Sequence, residues 1–173
     1  MAGSLIKIDE EIVTSAVASV TLTGIDSTYD VYMVRYNNVT PDTDVVVLRG
    51  RVTESSTPNT TANYDYAAKL LRSTTTFYNS SSTNQTSWII NHDTTGTGTG
   101  EQTNGVNYIF NANNSGEYTF ITVEDTFIEH NGNLEGSAGG GVFTSASTVN
   151  GVQYFFSSGN IDSGTFTLYG LKK

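Results

Sequence analysis

Residues 158–173 read SGNIDSGTFTLYGLKK. Within them Thr165-Phe166-Thr167-Leu168-Tyr169 alternates strictly, with Phe166 and Leu168 on one side and Thr165, Thr167 and Tyr169 on the other. A period of two marks a half-buried strand. The Gly, Asn, Asp and Ser residues around Ile161, just before it, form a connection and not a helix. The chain is therefore expected to close on an integral strand of a β domain, with Phe166 and Leu168 packed between two sheets.

The same period recurs upstream. Residues 17–23 place Val20 and Leu22 on one face. Residues 29–37 set Tyr32, Val34 and Tyr36 opposite Val31 and Met33. Residues 44–53 carry Val46, Leu48 and Val52 on one side and Arg49 and Arg51 on the other. Residues 64–72 align Tyr64, Tyr66, Ala68 and Leu70, although Ala-Ala-Lys-Leu-Leu would also suit a helical turn. Further short strands are expected at 77–78, 86–91, 105–111, 117–125, 141–149 and 152–156. About ten strands separated by turn signals predict an all-β, single-domain β-sandwich, jelly-roll-like. Three stretches read as loops: 79–87 (NSSSTNQTS), a polar connection, 94–105 (TTGTGTGEQTNG), an exposed tip, and 134–142 (LEGSAGGGV). In the last, the triple glycine acts as a loop or lets backbones approach closely.

Composition narrows the function. At 173 residues one domain is expected, with an N-terminal arm at 1–15 and the sandwich at 16–173. Leu5, Ile6, Ile8, Ile12 and Val13 suit a short arm or one strand, and as an arm they have the character of a docking strand or clasp. There are no cysteines, which excludes thiolate metal sites and thiol nucleophiles. The first residues lack the pattern of a signal peptide, and no apolar run reaches the roughly 20 residues that cross a bilayer. A net charge of −9 disfavours nucleic acid as a partner. Thr, Ser and Asn exceed a third of the chain, a composition of strands and hydrogen-bonded loops.

Catalytic and metal signals are weak. His92 beside Asp93 and His130 beside Glu129 are neighbours that a strand would point to opposite faces, so they read as solvated loop histidines. Asp42-Thr43-Asp44 reads as a turn. Glu124, Asp125 and Glu129 would make a glycosidase pair only if two of them faced each other across a cleft. No phosphate-binding or nucleophile motif occurs. No catalytic residue, cofactor or metal is expected.

Three blocks lie in order along the chain: SAVASVTLTGIDSTYDVYMVRYNN at 15–38, TTANYDYAAKLL at 60–71 and YFFSSGNIDSGTFTLYGLKK at 154–173. Together they resemble a group of small virion structural proteins of tailed bacteriophages. The shared positions are Ala18, Ser19, Val20, Thr21, Thr23, Ile25, Thr28 and Tyr29, then Asn63 and Tyr64, then Ser163 to Gly170. Asp26 stands where that pattern has proline, and residues 77–141 do not match it. The resemblance implies a non-enzymatic virion part in a jelly-roll-like fold, docked on the head as decoration or on the tail or fibre assembly. Its expected partners are other virion proteins, such as the major capsid protein or a tail hub, and its expected place is the virion, after assembly in the host cytoplasm.

An alternative is a carbohydrate- or receptor-binding module at a fibre tip, contacting a host surface glycan through Trp88. For assembly, the expected contacts are Leu5, Ile6 and Ile8 on the arm and the strand arginines Arg35, Arg49 and Arg51. Arginine suits interface ion pairs because its planar fork holds a carboxylate at two points. The Arg49/Arg51 face, with tyrosines such as Tyr32 or Tyr36, is expected to join copies in a homotrimer or to meet a neighbouring virion protein.

Overall fold

The structure, a computed structural model, describes residues 4–74 and 76–171. Its described residues hold thirteen strands and no helix. They are β1 (Leu5–Val13), β2 (Val20–Thr23), β3 (Val31–Pro41), β4 (Leu48–Glu54), β5 (Thr57–Pro58), β6 (Tyr64–Arg72), β7 (Tyr78–Gln85), β8 (Trp88–Ile89), β9 (Thr103–Phe110), β10 (Thr119–Ile128), β11 (Leu134–Phe143), β12 (Gly151–Phe156) and β13 (Ile161–Leu171). An eight-stranded antiparallel sheet runs β1-β13-β3-β9-β10-β11-β6-β7. A smaller sheet runs β2-β12-β4-β5, with β8 also paired to β4. The two pack face to face as the expected β-sandwich.

The alternation read from sequence builds the core. Tyr32, Val34 and Tyr36 of β3, Phe166 and Leu168 of β13, and Leu48 and Val52 of β4 are all buried in one cluster. Rings from both sheets meet there: Phe166 lies 5.3 Å from Tyr154 and 6.5 Å from Tyr36. Tilted rings at these separations stabilise beyond their buried area. Two buried tyrosines keep their hydroxyls occupied, whereas the Tyr36 hydroxyl has no partner. Tyr154 donates to Asn107 Oδ1 at 2.9 Å, from one sheet to the other. Tyr32 donates to the Asp26 carbonyl at 2.6 Å and accepts from the Asp26 N–H at 2.9 Å. That N–H is one a proline at position 26 would lack.

Four expectations need correction. The segment expected as an arm is β1, hydrogen-bonded along β13 at the edge of the large sheet; Val13 is buried and Ile8 packs on the core. Residues 134–142, expected as a loop, belong to β11, between β10 and β6. Its glycines allow close approach: a Cβ on Gly139 would stand 2.5 Å from the Ala68 Cα, and one on Gly141 would stand 2.5 Å from Trp88 Cδ1. Residues 79–87, expected as a polar connection, supply most of β7, the other edge of the large sheet. A polar edge strand is one way a sheet avoids sticking to another chain, and Asn84, at φ 55°, interrupts the ladder where its N–H bonds Asp65. The 94–105 loop is not wholly an exposed tip. Thr95 is fully buried and bridges Val46 and Glu129.

Truncating Phe166 to alanine removes a ring that touches both sheets. We expect a loss of about 3–5 kcal/mol, read by urea denaturation. An unchanged midpoint would show that the ring is not a core element.

Candidate functional site

The residues singled out by sequence do not form one surface. Trp88 is only 1% exposed: its ring packs edge-on against Tyr64 at 5.0 Å and its Nε1–H donates to the Val142 carbonyl at 3.2 Å. It presents no face to a sugar, which corrects the glycan contact expected of it. Tyr32 and Tyr36 are likewise core residues, not companions of an arginine face. On β1, Leu5 and Ile6 are 50% and 40% exposed beside Leu171 and Gly170, whereas Ile8 turns inward. Arg35 lies exposed on the outer face of the large sheet, opposite Thr167 and Val106. It is separated by the whole thickness of the sandwich from Arg49 and Arg51, which stand on the outer face of the small sheet.

Arg49 and Arg51 form a compact patch. Both project from β4, two residues apart and so on the same side. The Arg51 guanidinium lies 3.8 Å over the Phe155 ring of β12. Arg49 is the cross-strand neighbour of Phe155 and reaches Ser87 Oγ at 3.5 Å. Burial lowers the Arg51 pKa, and the Arg49 charge adds to the effect. Among the described residues neither arginine has an ion pair, and the Nε of each is buried without a hydrogen-bond partner. In a chain of net charge −9, two adjacent guanidinium groups are thus held in place without a carboxylate.

The carboxylates serve the fold. Glu124 is exposed on the outer face, while its neighbour Asp125 is half-buried and turns to the inner one, so the two do not face each other. Buried Glu129 accepts from the N–H and Nδ2 of Asn131 at 2.9 and 3.0 Å, and from Asn133 Nδ2 at 2.5 Å, which ties down the β10–β11 turn. Burial works to raise its pKa, but those donors outweigh it and hold it low. Asp42 accepts two bonds of 2.7 Å from Asn160, joining two loops in the role of a turn residue.

His92 differs from the solvated loop histidine expected, whereas His130 does lie in a partly exposed turn. His92 is buried, with Nδ1 2.9 Å from Ser80 Oγ, and burial depresses its pKa to about 4. His130 sits in a turn, which brings its Nδ1 within 3.0 Å of the adjacent Glu129. Among the described residues no group of three or more His, Asp or Glu could hold a metal ion.

A second surface was missed. The outer face of the large sheet carries an apolar groove of about 890 Å³ across β7, β6, β11, β10 and β9. Phe110, Phe120 and Val142 are in register across three strands and form a ridge. Two residues along, Thr122, Gly140, Ala67 and Ser81 are also in register and form a floor of small side chains. Phe120 is 46% exposed. The sequence did hold a signal: in Thr119-Phe120-Ile121-Thr122-Val123 the aromatic stands on the face opposite Ile121 and Val123.

No family model, curated protein or solved structure matches the chain.

Asp125 sets the pH response. Burial raises its pKa to about 8, despite the Ser137 N–H at 2.7 Å. The folded chain then keeps a proton that the unfolded chain has lost, so stability falls as pH rises towards 8. Glu135, raised by burial to about 7, acts with the same sign but finishes lower, and His92 has the opposite sign and titrates between about 4 and 6.5. Between pH 7 and 8 Asp125 is thus the dominant group among these. Asp125→Asn keeps the acceptor for Ser137 and should melt higher than wild type at pH 8, with a shallower slope from 7 to 8. Parallel slopes in thermal melts of the two proteins would contradict this assignment.

Proposed function

We propose that this chain is a non-enzymatic structural protein of a bacteriophage virion, an accessory domain docked on a larger head or tail assembly. The observation that carries the reading is the Arg49/Arg51 patch. Arg51, braced on Phe155, and Arg49 beside it, neither ion-paired among the described residues, make a preformed site for an acidic segment of a neighbouring protein. Exposed ion pairs contribute little each, but a planar guanidinium already immobilised loses less entropy on pairing. The resemblance of the three sequence blocks to small virion proteins supports the setting. The polar, loop-rich sandwich also suits a part exposed on a particle. The glycan-binding alternative loses the residue on which it stood, because Trp88 is in the core.

Particles assembled with the Arg49→Glu/Arg51→Glu double variant should carry at least about tenfold less of the protein, the effect of some 1.4 kcal/mol of lost affinity. Its melting temperature should stay close to wild type, since both side chains lie on a solvent face. Normal incorporation in physiological salt would reject this face as the contact. Absence of the wild-type protein from purified particles would reject the virion reading itself.

A further inference from the structure

The outer groove of the large sheet has a shape that fits itself. Its ridge row (Phe110, Phe120, Val142) and its floor row (Thr122, Gly140, Ala67) run parallel across the strands. They are two residues apart, or about 6.8 Å. A two-fold axis laid across the strands, between the rows, exchanges them. The face of a second copy then brings Phe120 of one chain over Thr122 of the other and Val142 over Gly140. At the β9 end, Phe110 meets Tyr108, an aromatic pair. At the β6 end, Asp65 meets Ala67. Each contact occurs twice, as an isologous interface requires.

We propose that this face joins two copies of the chain in a symmetric dimer. The size is adequate. Five strands about 4.8 Å apart and about eight residues long at 3.4 Å each make a face of roughly 24 by 27 Å. Corrugated by ridge and floor, it approaches the ~800 Å² per partner of a stable interface. The apolar character is also unusual for a free surface. Phe120 stands 46% exposed on a sheet whose β7 edge is otherwise covered with Ser, Thr and Asn. Clustered exposed apolar groups on a monomer mark an interaction site. Asp65 and Glu124 flank the groove, and each chain carries a charge of −9. Repulsion between copies opposes the contact, so salt strengthens it. This inference is independent of the virion reading and uses the opposite side of the molecule from Arg49 and Arg51.

Sedimentation equilibrium of the purified full chain tests it. Wild type should show twice the chain mass at micromolar concentration, more completely as salt is raised. Ala67 is exposed on the groove floor, so Ala67→Arg fills the floor without touching the core and should sediment as a monomer with a wild-type circular dichroism spectrum. Phe120→Ser removes the ridge and should do the same; it supplies the answer if the arginine variant fails to fold. Arg49→Glu/Arg51→Glu should remain dimeric. A wild-type monomer would overturn the proposal and leave the face to a different protein. A trimer, a dimer as tight in both groove variants as in wild type, or a dimer lost only with the arginines would overturn it equally.

Discussion

Three consecutive glycines in a sheet strand govern both sides of this molecule. Gly139, Gly140 and Gly141 lie in β11, between β10 and β6, where side chains would ordinarily fill the space above and below the sheet. On the inner side Trp88 takes that space, so close to Gly141 that a Cβ there would collide with the indole. On the outer side the missing side chain of Gly140 leaves the floor of the groove. Glycine weakens a strand through its backbone entropy and its lack of packing surface. Here the deficit is offset on one face by the largest side chain in the core, which brings Tyr64 and Phe143 with it. The indole's single donor is satisfied by the β11 carbonyl of Val142, so the burial leaves no polar orphan on the ring.

The interior is less forgiving elsewhere. Asp125 and Glu135 lie near the segment that follows β8, which carries His92, and burial pushes each of the three towards its neutral form. An isolated buried charge costs far more than the proton exchange that removes it. Asp125 keeps one hydrogen bond, from the Ser137 N–H, while its second oxygen has no partner. Ser137 in turn accepts from the His92 N–H at 3.0 Å, which fixes the segment after β8 against β11. The Ser137 hydroxyl thus holds that loop down, while Glu135 pairs with Arg72 of β6.

What was legible in the sequence follows from this. β3, β4, β6 and β13 have one apolar and one polar side, so a period of two reveals them and their core residues directly. β7 and β11 carry no such contrast. β7 is an edge strand of Ser, Thr and Asn, whose inner side faces a polar neighbourhood that includes His92. β11 is glycine-rich because other elements press on its backbone, and at Gly139 and Gly141 that pressure comes from residues more than 50 positions away. The same distance effect hid Trp88. A lone tryptophan between a polar stretch and a glycine loop looks exposed until β11 is known to be a strand. Arg49 and Arg51 were correctly placed on one side of β4. Grouping them with Arg35 failed because alternation fixes sides within a strand, not which sheet the strand joins.

The sandwich thus has two unlike outer surfaces, and their chemistry points to different kinds of contact. The small sheet offers immobilised positive charge over an aromatic ring, which would select an acidic partner by sign and geometry in a contact that weakens with salt. The large sheet offers a corrugated apolar face in a strongly acidic chain, where association grows as salt screens the repulsion. Because the two surfaces look away from each other across a shared core, occupation of one leaves the other open. A domain built in this way can join a copy of itself on one side and a different protein on the other, with the rigid interior fixing the angle between the two.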